Sequence, residues 1–237
     1  MSRCAINLSA TAVLALALAA CGRSGASSDV APPSPTTSVA SVAVPAASSA
    51  DAALLAAAEP FEKLTETAFS ATPAELDLTI GEVRTAAAGV RSALSASAVG
   101  LLDERLAAIA SARGADRRAD LAIAAVEGYR VLVSAVSAAA KVPTAVNLLD
   151  YAGFRYDANL KAKPARWADM MQAMAFAREQ WASIASRVTD SALRGRMDTS
   201  LTEMEGAAKR RDVPAATAAA QRELALVDDL EKFFNAP

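Results

Sequence analysis

Trp167-Ala168-Asp169-Met170-Met171-Gln172-Ala173-Met174-Ala175-Phe176-Ala177-Arg178-Glu179-Gln180-Trp181-Ala182-Ser183-Ile184-Ala185-Ser186-Arg187-Val188 is the stretch that decides the fold. Its seam positions, Trp167, Met170, Met174, Ala177, Trp181, Ile184 and Val188, are spaced alternately by three and four residues. That rhythm places them on one stripe of an α-helix, the kind that packs against neighbours in a bundle. A strand would need strict alternation, which is absent.

The same period continues on both sides. Leu193, Met197, Leu201 and Met204 form a seam towards the C-terminus. After Arg210-Arg211-Asp212, with Pro214 in the first turn, Leu224, Val227, Leu230 and Phe234 form the last. Upstream, Pro164 opens the Trp167 helix, a shorter helix spans Leu148 to Leu160, and Pro143 interrupts the chain before it. The helix preceding that interruption, over about 119–139, is apolar on nearly every side and belongs in the middle of a bundle, with Asp116 as its cap. Val99, Leu102, Leu106 and Ile109 mark another helix, and Leu76, Ile80, Val83, Ala87, Val90 and Leu94 one before it. Thr72-Pro73-Ala74-Glu75 is a strong start signal, combining a capping threonine, a proline at the first helical position and a glutamate that completes a capping box. A first segment runs from Asp51 to Phe69, with Pro60 as a potential bend. The pattern predicts an all-α, antiparallel multi-helix bundle of six to eight helices over residues 51–237. Two helical hairpins can be aligned through Asp116 and Asp212, which sets Glu127 over Glu223, but few other positions match.

Residues 21–50 differ in kind. They are rich in Ser, Ala, Pro, Thr and Val, with Arg23 and Asp29 the charged residues and prolines at 32, 33, 35 and 45. Such a segment is a flexible tether, able to span roughly 80 Å in polyproline-like form. Residues 1–20 have the layout of a secretory signal: Arg3 near the start, an uncharged Ala/Leu/Val run, then small residues, with an apolar core too short to span a bilayer.

Leu18-Ala19-Ala20-Cys21 closes that run, and it resembles the lipobox of bacterial lipoproteins. The resemblance covers about the first twenty residues. It implies cleavage before Cys21, attachment of diacylglycerol to its sulfur, and acylation of the new amino terminus, with several acyl chains giving stable membrane anchoring. Gly22 stands where that family's inner-membrane retention signal has an aspartate, so the resemblance implies the outer membrane, facing the periplasm.

Composition narrows the chemistry. The chain carries net charge −2, or −3 once Arg3 is removed, which offers no electrostatic case for nucleic acid. Its two cysteines are Cys4 and Cys21, so the folded part has no thiol of its own. Histidine is absent, which removes Ser-His-Asp catalysis, histidine-bearing di-iron patterns and most zinc sites. No cofactor or metal motif is found, and no glycine-rich phosphate loop or nucleophile elbow. Met170, Met171 and Met174 could suit a soft metal such as Cu(I), but Met170 and Met174 fall on the packing seam, where methionine fills space.

Two polar concentrations interrupt the apolar helices. Glu127, Tyr129 and Arg130 break the 119–139 helix, and Asp150-Tyr151-Ala152-Gly153-Phe154-Arg155-Tyr156-Asp157 follows Pro143. Buried charge must be paired, so Glu127, Arg130, Asp150, Tyr151, Arg155 and Asp157 are the candidate polar cluster, either pinning helix register or lining a pocket for a small polar ligand or cation. Asp150 and Asp157 stand about 10 Å apart along one helix and cannot share one ion. A helical glycine costs about 1 kcal/mol relative to alanine, so Gly153 points to a close approach. Three functional readings follow: a non-catalytic lipoprotein that binds or scaffolds an envelope protein partner, a small-molecule or metal-ion binding module built on Glu127 and Asp150–Asp157, and an enzyme using carboxylates alone.

Overall fold

A computed structural model of the chain describes residues 47–138 and 140–236. Cys21, the signal segment and residues 21–46 of the tether lie outside the described residues. Those described form eight α-helices: α1 (Ala47–Thr67), α2 (Pro73–Val90), α3 (Ala96–Gly114), α4 (Arg118–Val133), α5 (Thr144–Lys161), α6 (Trp167–Ile184), α7 (Ser191–Arg210) and α8 (Val213–Asn235). A single 3-10 turn extends α2 over Arg91–Ala93, and another extends α6 over Ala185–Arg187. None of the described helices is long and apolar enough to cross a membrane.

Local chemistry sets most of the starts. Thr72 Oγ1 accepts from the Glu75 amide at 3.3 Å while the Glu75 carboxylate accepts from the Thr72 amide at 2.7 Å. Ser95, Asp190 and Asp212 cap α3, α7 and α8 in the same way, each accepting from first-turn amides. The expected Asp116 cap is not formed. Asp116 takes a left-handed backbone (φ 49°) in the turn, its carboxylate accepts from Arg118, and Arg117 stands at the cap position with no acceptor to offer. The Arg118 guanidinium also donates to the Ala68 and Ala71 carbonyls, which ties the α1–α2 link to α4.

Three boundaries differ from the sequence reading. α1 begins at Ala47 rather than Asp51 and runs unbroken through Pro60. α4 ends at Val133 instead of continuing to about 139, because the Ser137 amide turns away to donate to the Asp51 carboxylate of α1. Pro164 lies in a link, and the helix it was expected to open begins at Trp167.

The packing repeats. α1 packs on α2 and α4, with α3 on α4; α5 packs on α6 and α8, with α7 between α6 and α8. Each half is therefore helix, helix with a 3-10 turn, helix, helix, and the two join where α4 meets α5. The longest link, residues 134–143, separates them. The turns before α4 and α8 match with Asp116 over Arg211, both left-handed, and with Arg117 over Asp212, both helix caps. This is one residue off the alignment through the two aspartates, so Glu223 corresponds to Gly128 and not to Glu127.

The core follows the seams. Met170, Met174, Ala177, Trp181, Ile184 and Val188 are all buried, as are Leu193, Met197, Leu201 and Met204. α4 is buried along nearly its whole length. At this apolar coverage the hydrophobic effect is the dominant favourable contribution to the fold.

Candidate functional site

α4 and α5 form the middle of the molecule, and they carry five of its buried or half-buried polar side chains. Glu127, on the α4 face towards α5, is 9 % exposed. Its Oε1 accepts from the Tyr151 hydroxyl at 2.7 Å, and its Oε2 lies 3.1 Å from Arg130 Nη2. Arg155 Nη1 donates to the same Tyr151 hydroxyl at 2.9 Å, and its Nε is 3.6 Å from Glu127. Both guanidinium groups stand over the Tyr151 ring, Arg130 at 5.3 Å and Arg155 at 6.0 Å, a cation–π arrangement. On the ring's other flank Phe176 of α6 makes an edge contact. Burial, and then the Glu127 charge, push the Tyr151 hydroxyl up to about 12, so it stays a donor. The four expected residues Glu127, Arg130, Tyr151 and Arg155 thus meet, and each satisfies another. This cluster locks α4 to α5.

Asp150 and Asp157 do not join them. Asp157 pairs with Lys161 one turn along α5, at 2.6 Å. Asp150 faces a different neighbourhood, where the Tyr129 hydroxyl donates to it at 3.2 Å. There α1, α4, α5 and α8 enclose a cleft of about 320 Å³. Five carboxylates line it: Glu59, Glu62, Asp150, Asp228 and Glu231. None of its lining residues is Lys or Arg, and Leu55, Ala58, Val142 and Val227 supply apolar wall. Burial, followed by the charges of Glu62 and Glu231, holds the Asp150 carboxyl well above its ordinary range. Burial and Asp228 raise Glu231, against a lowering pull from Lys232. Tyr129 is raised as well, mainly by burial and then by Asp150.

Behind the cleft is a residue the candidate cluster omitted. Glu223 of α8 is fully buried, and neither carboxyl oxygen has a hydrogen-bond partner within the protein. It lies one turn before the cleft-lining Val227 and reaches across to α5 at Gly153, one turn from Asp150. A Cβ built on Gly153 would stand 2.1 Å from Glu223 Oε2 and 2.7 Å from Leu224 Cδ2, which explains the helical glycine. Burial, and next the charge of Asp150, push Glu223 well above its ordinary value. The equivalent contact in the first half is reversed: there Gly128 on α4 accepts the Phe61 ring of α1. Glu223 could have been noticed in the sequence, since it sits beside Leu224 on an otherwise apolar seam. Glu62, Asp228 and Glu231 gave no such signal, because a glutamate on a helix normally faces water.

Among the described residues no three His, Cys, Asp or Glu side chains are placed to hold one metal ion. Met170 and Met174 are core, and Met171 packs half-buried against it. No family model, curated protein or solved structure matches the chain.

Proposed function

We propose that this chain is a lipoprotein of the bacterial cell envelope, held through lipid on Cys21, whose helical domain acts by binding a ligand in the cleft between α1, α4, α5 and α8 rather than by catalysis. The membrane half of this reading rests on Leu18-Ala19-Ala20-Cys21 and the signal layout before it; an outer-membrane position facing the periplasm follows from Gly22. The binding half rests on one observation: five carboxylates converge on a cleft lined by no cation of the protein's own. Like charges gathered this way oppose folding unless something is gained by them, and a ligand that neutralises them is such a gain. The Glu127–Tyr151–Arg155–Arg130 cluster has its charges already matched, so it serves structure.

Two measurements test the reading. Mass spectrometry of the protein from bacterial membranes is expected to find acyl chains on an N-terminal Cys21; an unmodified sulfur on the processed chain would remove the anchor. A thermal-shift screen of small cations, anions and neutral metabolites is expected to find at least one class that raises the melting temperature, with the rise lost in Asp150→Asn but kept in Glu127→Gln. A flat response across all classes would remove the binding site.

A further inference from the structure

We infer that the occupant of the cleft is a flexible aliphatic polyamine, its ammonium groups set at Asp150 and Glu231 and its methylene segments lying against Leu55, Val142 and Val227. This rests on the binding reading above and deepens it to a chemical class.

Four features of the cleft select that class. The first is sign: the lining carries five carboxylates and no Lys or Arg, with Lys141 engaged by the Asn235 carbonyl at one edge. The second is dispersion. The acids come from three different helices, α1, α5 and α8, and among the described residues no three of them converge tightly enough for one metal ion. A divalent cation needs its oxygens within about 2–2.6 Å of a single point, whereas charge spread along a cleft matches charge spread along a chain. The third is the lining between the acids, where Leu55, Val142, Val227 and the Tyr129 ring offer surface for methylene groups. A polyamine alternates ammonium and methylene, so it can use both kinds of wall, while a hydrated inorganic ion can use only one. The fourth is size. At about 320 Å³ the cleft sits at the small end of small-molecule sites. It is far too small for the roughly 800 Å² that each partner contributes to a stable protein interface.

Glu223 adds an independent pointer. It is a fully buried carboxyl with both oxygens unpartnered, aimed at α5 one turn from Asp150 and directly behind the cleft wall at Val227. Buried polar atoms are nearly always satisfied, and this one is not satisfied by any group of the protein. An ammonium seated at Asp150 supplies positive charge at the one place where the nearby acids Asp150, Glu223 and Glu231 oppose one another.

The test is calorimetric titration of the full chain in detergent with spermidine, beside magnesium and calcium at matched ionic strength. Spermidine is expected to bind with a stoichiometry of one and to raise the melting temperature, and the metals to do neither. Glu231→Gln and Asp150→Asn are each expected to weaken spermidine by about tenfold or more, while Glu203→Gln on the α7–α8 surface leaves it unchanged. Far-UV circular dichroism confirms the fold, and Glu231→Gln, at a half-buried position, remains informative where Asp150→Asn disturbs the Tyr129 contact. Magnesium or calcium binding that is lost in the same variants would overturn the polyamine and leave the binding reading standing. Binding of a neutral or anionic compound in the cleft would do likewise. A silent titration with every compound would overturn both. Spermidine binding that the two variants do not weaken would place it elsewhere, and so would overturn the inference as well.

Discussion

One methyl group at position 153 measures how closely α5 and α8 are keyed. Gly153→Ala drives a Cβ into Glu223 and Leu224, and overpacking of this kind costs about 1–3 kcal/mol. Urea denaturation is expected to show that loss, and Glu223→Ala in the same chain to recover part of it, because the two positions touch. Glu223 also governs how stability follows pH. Its folded value is raised far above the ordinary 4.5, so the native state holds a proton that the unfolded chain has already released. The stability it contributes is complete below about pH 4.5 and is lost as pH rises towards the folded value. Asp150 and Glu231, raised for the same reason of burial, add in the same direction. Asp103, lowered by Arg91, acts in the opposite sense but only below its ordinary 3.8. Melting temperature is therefore expected to fall between pH 5 and pH 8, and Glu223→Gln to flatten that slope and raise the value at pH 8. An unchanged slope in the variant would show that Glu223 is ionised or reached by water. Glu127→Ala belongs with these. It strands Tyr151, Arg155 and Arg130 together, and removal of one partner from a largely buried ion pair costs about 3–5 kcal/mol; half-exposed Arg130 puts the expected loss at the lower end.

At the scale of the helix, the two halves offer a matched comparison of caps. Asp212 accepts from the Ala215 amide and starts α8, while Arg117 in the corresponding turn gives α4 nothing. Arg117→Asn is expected to stabilise the protein by about 0.5–1 kcal/mol, since what it gives up is an exposed pairing with Asp120 of small worth. Asp212→Ala is expected to lose about 1 kcal/mol. Chemical denaturation of both variants checks the pair. The helices themselves were legible in the sequence because a seam such as Leu193-Met197-Leu201-Met204 has a single geometric solution. The capping box at Thr72 was legible for the same reason, since two residues satisfy each other across three positions. Asp116 was not: whether an aspartate caps a helix or bends the turn before it depends on a backbone angle that its neighbours decide. The polar cluster was half legible. Burial forces Glu127 to find partners, and Tyr151 and Arg155 lie on one α5 face, but Asp150 is about 100° away from Tyr151 on the helix. The cleft could not be read at all, since Glu62 and Glu231 come together only when α1 and α8 do.

On the scale of the molecule, the join between halves predicts how the domain melts. Glu127 on α4 bonds Tyr151 and Arg155 on α5, so neither half can unfold without breaking buried polar contacts of the other. Both tryptophans, Trp167 and Trp181, lie on α6. Their fluorescence reports the second half alone, whereas far-UV circular dichroism reports every helix. The two transitions are expected to coincide, as they do in a single cooperative unit; a separated fluorescence transition would mean that the halves melt independently.

The chain's way in, its midpoint and its way out all gather at one pole. Asp51 near the start of α1 accepts from Ser137, Lys141 reaches the carbonyl of Asn235 at the end of α8, and Leu55, Val142 and Asn235 share one cleft. The order of the two halves along the polypeptide is therefore almost a matter of indifference to the packed helices. Opening the backbone in the 134–142 link and splicing residue 236 to residue 47 through a few glycines yields a circular permutant in which the second half is synthesised first, yet every helix keeps its neighbours.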